Sequence, residues 1–255
     1  MLAVQNRHGS IAIDCGSDLV QKLLAAKLEL DRLEGLVITH EHPDHVGGFP
    51  LLMQRLWLLG RRRPIIVAAP APALAVAQKL WDLFHLSEKA GMPAVEWHLL
   101  EVDAQRPGLP FETWNGTYGP VSHGPVTIAV RFSDPDTGGT VTYSSDTAPD
   151  PRVAELAAAT DILVHEATGS GDGHSSAVEA ADVGRQAGAG RLLLVHLPAP
   201  GAISETMLEE ARRRFPRTTI GQEGGSYLIR DGAGSDGGQT NRLSLKQKPP
   251  ATRPS

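Results

Sequence analysis

Three histidines and two acids occupy six positions within the segment "VITHEHPDHVGG" (37–48), directly after an apolar run. His40 and His42 are two residues apart, so their imidazoles project from the same side of an extended backbone. Asp44 and His45 follow on a turn that ends in two glycines. The spacing H-x-H-x-D-H predicts two neighbouring sets of metal ligands, and it disfavours the alternative of a polar loop with unrelated histidines. Zinc accepts imidazole and carboxylate donors, and manganese or iron could use similar sites.

Further polar residues are found where other predicted strands end. His123 lies in "GPVSHGPV" between two β-like runs, Asp146 closes "VTYSSD" and His196 closes "LLLVH". Each of them alone could be an ordinary surface or core residue. Together with the motif they complete the donor count of a dinuclear site. We predict that one ion is bound by His40, His42 and His123, the second by Asp44, His45 and His196, and that Asp146 bridges them.

Composition limits the class of protein and the kind of metal site. The chain has 255 residues, of which 41% are apolar, and this is sufficient for a large core. Its single cysteine, Cys15, excludes both a disulfide framework and a thiolate zinc cluster. The formal net charge of -5 argues against a generally basic nucleic-acid-binding surface. No apolar run approaches the roughly 20 residues that span a bilayer, and no secretory signal pattern is evident, so we expect a cytoplasmic protein.

The elements that must position these residues alternate along the chain. Short apolar β-type runs alternate with helical patterns, except that residues 95–145 resemble mostly antiparallel strands separated by turns. This order predicts an α/β fold, a sandwich of two mixed sheets with helices on the outside. We expect one domain over residues 1–230 and a disordered, polar tail over 231–255. The main predicted strands are 10–16, 35–40, 65–69, 161–167 and 191–197, and the main predicted helices are 18–30, 48–59, 72–86, 151–159, 175–188 and 204–214.

These motifs resemble those of a known family. "THEHPDHVGG", the isolated His123, "YSSDT" and the late "VHL" look like the metallo-β-lactamase superfamily of binuclear hydrolases. The stretch from 161 to 197, with its H-E-A-T segment followed by a histidine and a helix, resembles the ribonuclease Z branch. The match runs from about Ile11 to His196. The resemblance implies a four-layer αββα sandwich and two divalent metal ions, Zn²⁺ first, with Mn²⁺ or Fe²⁺ as the alternatives.

The resemblance also implies catalytic roles for Glu166 and His174. A histidine oriented by a carboxylate can donate a proton to the leaving oxygen, and Asp44 can both bind metal and orient the nucleophile. The alternatives are that His174 belongs to a loop or precedes a helix N-terminus, and that Glu166 is the partner of a metal ligand. Asp14, at the end of the first predicted strand, either orients one of the histidines or caps a turn.

We therefore expect a binuclear metal-dependent hydrolase, a ribonuclease Z-like phosphodiesterase that uses a metal-bridging hydroxide. Its substrate would be an RNA 3' end, as in transfer RNA 3'-end processing, or a smaller phosphodiester. The interval 46–122 contains no evident basic insertion like the arm with which family members grip RNA. Alternative functions are therefore retained. These are hydrolysis of a sulfate ester, carboxylic ester or lactone, a non-hydrolytic metal-binding accessory protein, and an iron-dependent oxidoreductase. The resemblance further suggests a homodimer.

Overall fold

Two mixed β-sheets pack face to face, and helices cover the outer side of each. The computed structural model describes residues 1–102, 108–197 and 203–230, together with the backbone of 242–245. The strands are β1 (Leu2–Gln5), β2 (Ser10–Ile13), β3 (Leu33–Val37), β4 (Ile65–Ala69), β5 (Val95–Leu99), β6 (Asn115–Pro120), β7 (Ile128–Ser133), β8 (Thr140–Tyr143), β9 (Ile162–Glu166), β10 (Arg191–Val195), β11 (Thr218–Ile220), β12 (Ser226–Leu228) and β13 (Arg242–Leu245). The helices are α1 (Leu19–Ala25), α2 (Pro43–Val46), α3 (Phe49–Leu58), α4 (Ala71–Leu83), α5 (Pro151–Leu156), α6 (Ala177–Ala187) and α7 (Glu205–Arg214), and short 3-10 turns cover Leu30–Arg32 and Leu86–Glu88.

The first sheet has the strand order β12-β13-β1-β2-β3-β4-β5. Strands β2 to β5 are parallel, whereas β1 is antiparallel to both β2 and β13. Parallel neighbours need crossover connections, and α1, α3 and α4 lie in those connections. The carboxyl ends of β2 and β3 therefore meet at one edge of the sheet, where the backbone N–H of Asp14 donates to the carbonyl of Val37 (2.8 Å).

The second sheet has the order β11-β10-β9-β8-β7-β6. Strands β8 to β11 are parallel, and β6, β7 and β8 are antiparallel neighbours. Two antiparallel pairings separate β6 from β8, so these two strands run in the same direction, and β10 is parallel to β8. The ends of β6, β8 and β10 therefore lie at the same edge of the sheet. The residues that follow these strands are His123 in the turn after β6, Asp146 after β8 and His196 after β10.

A buried apolar layer holds the two sheets together. Trp114 and Phe132 are among its largest side chains, and their rings meet edge to face at 6.4 Å between centroids. Side chains alternate along the strands, so Ile162 and Val164 of β9 face this layer while Leu163 faces the helices. Separate apolar clusters lie beneath the helices of each sheet. Burial of both faces of the parallel strands explains why their sequences are continuous apolar runs.

The structure corrects the predicted sheet assignment of residues 95–99. Strand β5 does not join the antiparallel strands of the second sheet but pairs in parallel with β4 at the edge of the first sheet. The crossover through α4 returns the chain in the direction of β4, which requires a parallel pairing. Strand β1 was not predicted, although it lies between β2 and β13 in the same sheet.

Two predicted elements end earlier than their sequence patterns indicated. The strand predicted over 35–40 ends at Val37. The N–H of Ile38 still donates to the carbonyl of Ala68 in β4 (2.9 Å), but the N–H of Thr39 donates to the side chain of Asp14 instead (2.8 Å). The helix predicted over 18–30 ends at Ala25, where Lys27 adopts a left-handed φ of 59° and closes the last turn.

The segment predicted as a disordered tail contributes one strand to the first sheet. Backbone of Arg242–Leu245 pairs antiparallel with β1 on one side and with β12 on the other. The rest of residues 231–255 lies outside the described residues, so the division into a domain and a tail stays a prediction. No helix in the described part of the chain is long and apolar enough to cross a bilayer.

Two glycines allow the motif segment to pack tightly against the loop after β2. A Cβ on Gly16 would lie 1.7 Å from the carbonyl oxygen of Asp44, and one on Gly48 would lie 2.3 Å from that of Cys15. The backbone N–H of Cys15 donates to the carbonyl of His45 (2.7 Å). This close approach of two backbones fixes α2, and with it His45, against the end of β2.

Candidate metal centre

Side chains from both sheets converge at the edge where the strand ends meet. Their donor atoms form three groups, and within each group the atoms lie within 4.8 Å of one another. All seven residues that the sequence predicted as ligands belong to these groups. The first group is His40, His42, His123 and Asp146; the second is Asp44, His45 and His196; the third is Asp146, His174 and His196.

In the first group, the ring nitrogens of the three histidines face one another. His42 Nδ1 lies 3.0 Å from His40 Nε2 and 3.4 Å from His123 Nε2. Asp146 Oδ2 lies 3.9 Å from His40 Nε2. Ligands that bind one zinc ion at about 2.0–2.1 Å stand roughly 3–3.5 Å apart. The nitrogen separations therefore suit three imidazoles on one cation.

The second group lies on the other side of the same carboxylate. Asp44 Oδ2 is 3.3 Å from His196 Nε2 and 3.7 Å from His45 Nε2. Asp146 Oδ2 is 3.5 Å from each of these two ring nitrogens. The carboxylate of Asp146 thus lies between the two groups, where a ligand shared by two cations would stand, and its bridging role stays a prediction.

Two atoms of the cluster lack a hydrogen-bond partner although they are buried. They are His45 Nε2 and Asp146 Oδ1. A buried polar atom without a partner costs about 1–3 kcal/mol, so its persistence calls for an explanation. A cation bound by His45 Nε2 and the Asp146 carboxylate would satisfy both atoms, and nitrogen and carboxylate oxygen are suitable donors for zinc. The residues of the cluster therefore fit divalent metal ions.

The fully buried carboxylate of Asp14 orients His45 from behind. Asp14 Oδ2 lies 2.8 Å from His45 Nδ1, and Oδ1 accepts from the backbone N–H of Thr39 (2.8 Å). A carboxylate on the distal ring nitrogen fixes the tautomer of a metal-binding imidazole and increases its basicity. Of the two roles considered for Asp14, the structure shows the orienting one.

The imidazoles of His123 and His196 also have partners on their distal nitrogens. His123 Nδ1 donates to the carbonyl of Gly173 (3.0 Å), and Thr168 Oγ1 lies 2.8 Å from His196 Nδ1. Gly173 has a φ of 81°, and a Cβ there would lie 2.8 Å from His123 Nδ1, so the close approach requires glycine. Neither partner was predicted from the sequence. The glycines of "TGSGDGH" were visible, but nothing in that pattern indicates which carbonyl meets a histidine.

Burial and neighbouring charges give His40 and His45 different protonation states. Burial opposes the charged form of His45, but the carboxylates of Asp14 and Asp146 outweigh it and raise its pKa to about 10. Burial, followed by the positive charge of His45, lowers the pKa of His40 to about 3. Burial alone would raise the pKa of Asp146, but its interactions with His45 lower the pKa below its usual range. In metal-free protein near neutral pH, His45 is therefore charged and His40 neutral.

Glu166 and His174 form a pair beside the cluster. His174 Nδ1 lies 2.9 Å from Oε1 of the fully buried Glu166. The carboxylate also accepts the backbone N–H groups of Thr147 (3.0 Å), Thr168 (2.8 Å) and Ser175 (3.1 Å). These four donors fix Glu166, and through it the ring of His174.

The His174 ring lies against both ligand groups. It stacks on His196 with a centroid distance of 6.0 Å and an angle of 11°, and its centroid is 4.9 Å from that of His123. Its side chain is 21% exposed, so a substrate can reach it. The predicted roles of Glu166 and His174 stay predictions, and the geometry brings both residues to the place where those roles would be performed.

Comparison with known proteins identifies the family. Residues 10–197 match the family model described as a β-lactamase superfamily domain. The chain belongs to the metallo-β-lactamase superfamily, in its ribonuclease Z-like branch. It is 29% identical over 261 residues to ribonuclease Z of Ignicoccus hospitalis, covering 83% of this chain and 86% of that protein. It is 30% identical over 278 residues to ribonuclease Z of Salinibacter ruber, covering 87% and 86%.

Solved structures of the superfamily confirm the predicted four-layer αββα sandwich. Human tRNase Z, short form, superposes with a TM-score of 0.72 at 19% identity, covering 90% of this chain and 92% of that one. The metallo-β-lactamase fold protein YhfI from Bacillus subtilis gives a TM-score of 0.67 at 22% identity, covering 86% of each chain.

We predict that metal binding releases protons. Since the pKa of His45 is about 10 in the metal-free protein, its ring must lose a proton before Nε2 can bind a cation. Zn²⁺ titration calorimetry near neutral pH, in two buffers of different ionisation enthalpy, should report release of at least about one proton per chain. The apparent affinity should increase as the pH rises towards the pKa of His45, because protons compete less. Buffer-independent heats with a pH-independent affinity would contradict the assignment of His45 as a ligand.

Proposed function

We propose that this chain is a metal-dependent phosphodiesterase of the ribonuclease Z type that cleaves RNA near a 3' end, including transfer RNA precursors. The observation that carries the proposal is the carboxylate of Asp146 between two groups of ring nitrogens, with the Glu166–His174 pair directly beside them. The relatives from Ignicoccus hospitalis and Salinibacter ruber are ribonuclease Z proteins, and this supports the choice of an RNA substrate.

The ligands would be divided between two cations. His40, His42 and His123 would bind the first, Asp44, His45 and His196 the second, and Asp146 both. Zinc suits this donor set, with manganese or iron as the alternatives. Such a pair of cations supplies an activated water near neutral pH and neutralises the charge that gathers on the phosphoryl oxygens.

The chain's own side chains would move and position the protons. Because Glu166 Oε1 lies 2.9 Å from His174 Nδ1, the distal Nε2 of His174 is the nitrogen that remains to protonate the leaving oxygen. The Asp44 side chain is 55% exposed, and its Oδ2 lies 3.3 Å from His196. Its carboxylate is therefore accessible to accept a hydrogen bond from the attacking nucleophile and to orient it.

The alternative hydrolase functions would use the same residues to attack a different electrophilic centre, so assays with different substrates distinguish them from the proposed function. A sulfate ester, a carboxylic ester or a lactone could occupy the position of the phosphodiester, since the fold does not select among them. The homodimer and the cytoplasmic location inferred from the sequence remain predictions.

A substrate panel tests the reaction class. We expect protein reconstituted with about two equivalents of Zn²⁺ or Mn²⁺ to hydrolyse bis(p-nitrophenyl) phosphate and to cleave a 3'-extended transfer RNA precursor. Removal of the metal with a chelator should abolish both activities, and readdition should restore them. Replacement of His123 by alanine should reduce metal content, whereas the same change at the exposed His85 should not. Hydrolysis of p-nitrophenyl acetate or p-nitrophenyl sulfate with no action on either diester would contradict the proposal.

The role of His174 is tested by comparing how much activity a variant loses on two different substrates. A His174→Ala variant should cleave RNA at least about 100-fold more slowly, because the alkoxide leaving group needs a proton. The same variant should lose much less activity on bis(p-nitrophenyl) phosphate, whose nitrophenolate leaves as an anion. Metal content should equal that of the wild type, and His85→Ala is the matched control. Equal losses on both substrates would contradict the role of His174 as the proton donor, and loss of metal would instead make it a metal ligand.

A further inference from the structure

Ser145 has a backbone conformation that its residue type disfavours. It lies between strand β8 and Asp146, is fully buried, and has a φ of 56°. In the left-handed region the Cβ of an ordinary residue crowds the backbone, so glycine is the residue expected there. Non-glycine residues persist in this region where the surroundings fix them, and such positions cluster at functional sites. Because Ser145 is also fully buried, its residue type can matter only through the contacts of its side chain.

The Ser145 hydroxyl joins the second sheet to the first. Ser145 Oγ donates to Thr39 Oγ1 (2.8 Å), which belongs to the segment after β3. The carbonyl of Ser145 accepts from Ser144 Oγ (2.7 Å), and Ser144 Oγ in turn accepts from the backbone N–H of Glu166 (3.1 Å). Ser145 is thus fixed by hydrogen bonds at its side chain and at its carbonyl.

Thr39 uses the full hydrogen-bonding capacity of its hydroxyl. Oγ1 donates to the carboxylate of Asp14 (3.0 and 3.1 Å). It has two lone pairs, and these face Ser145 Oγ at 2.8 Å and His40 Nδ1 at 3.2 Å. With its only proton on Asp14, the hydroxyl can only accept from His40, so His40 carries its proton on Nδ1. That tautomer leaves the Nε2 lone pair of His40 directed at the first ligand group.

We propose that the hydroxyls of Ser145 and Thr39 form a positioning pair. The pair fixes the separation between Asp146 on the second sheet and His40 on the first, and its Thr39 member selects the metal-binding tautomer of His40. Its consequence is the observed distance of 3.9 Å between Asp146 Oδ2 and His40 Nε2. The inference rests on the proposed function, because it assigns the pair to the ligands of that metal site.

A purely structural role gives the opposite prediction for one substitution. If only the left-handed turn matters, Ser145→Gly is harmless, since glycine adopts this conformation without strain. If the hydroxyl matters, glycine cannot replace serine. Ser145→Gly should therefore weaken Zn²⁺ or Co²⁺ binding by about 10- to 100-fold, the range seen when partners of metal ligands are removed. The melting temperature of the metal-free variant should not be lower than that of the metal-free wild type.

The measurements are competition with a chelator of known affinity and the visible spectrum of the Co²⁺-loaded protein. Ser145→Ala, which removes only the hydroxyl, should show the same loss and decides the question if the glycine variant does not fold. Ala159→Gly is the matched control, because Ala159 is exposed and has a similar φ of 51°. It should leave both metal affinity and spectrum unchanged.

A double-mutant cycle tests the pairing itself. Thr39→Val should weaken metal binding, whereas Thr39→Ser, which keeps the hydroxyl, should bind metal as the wild type does. In the Thr39→Val background, Ser145→Gly should cause no further loss of metal affinity. Wild-type affinity in both Ser145 variants, or fully additive losses in the cycle, would overturn the positioning role. Failure of the wild type itself to bind metal would overturn the proposed function instead, so the two failures are distinguishable.

Discussion

The buried carboxylate of Asp146 lies between two groups of imidazoles, and its surroundings constrain the rest of the site. A carboxylate that is 2% exposed requires compensating positive charge or hydrogen bonds. His45 provides that charge in the metal-free protein, and a pair of cations would provide it in the loaded protein. The same carboxylate thus links the charge balance of the buried cluster to the proposed chemistry, and removal of its partners would leave a buried charge uncompensated.

The topology explains why these residues meet. Each sheet contributes the carboxyl ends of parallel strands, and the ends of β2, β3, β8 and β10 lie at one edge of the sandwich. Ligands at strand ends are supported by backbone hydrogen-bonding on one side and leave the site open on the other. Another candidate ligand, His123, comes from a turn and is held by the carbonyl of Gly173, which belongs to the loop that also contains His174. The histidine of one ligand group and the proposed proton donor are therefore coupled through a single loop.

The candidate ligands could be proposed from the sequence because each has a local signal. His40, His42, Asp44 and His45 share one short motif. Asp146 and His196 follow apolar strand patterns, and His123 lies between two β-like runs. Their hydrogen-bond partners have no such signal. The hydroxyls of Thr39, Ser145 and Thr168 are common residue types, and a carbonyl such as that of Gly173 is present at every position. These contacts join segments that are distant in sequence, so only the fold reveals them.

Other parts of the fold escaped prediction for a related reason. The pairing of β5 with β4 depends on the direction of a crossover helix, and the strand at Arg242–Leu245 lies in a sequence that is polar and rich in glycine. Both elements form through pairing with a neighbouring strand rather than through their own apolar pattern. Local sequence patterns, by contrast, gave the positions of most helices and of the strands that are buried on both faces.

Anomalous diffraction from crystals of Mn²⁺- or Zn²⁺-loaded protein would show whether Asp146 binds two cations. We expect two anomalous peaks, about 3.5–4 Å apart, with Asp146 in contact with both. A single peak, or peaks that lie away from Asp146, would contradict it.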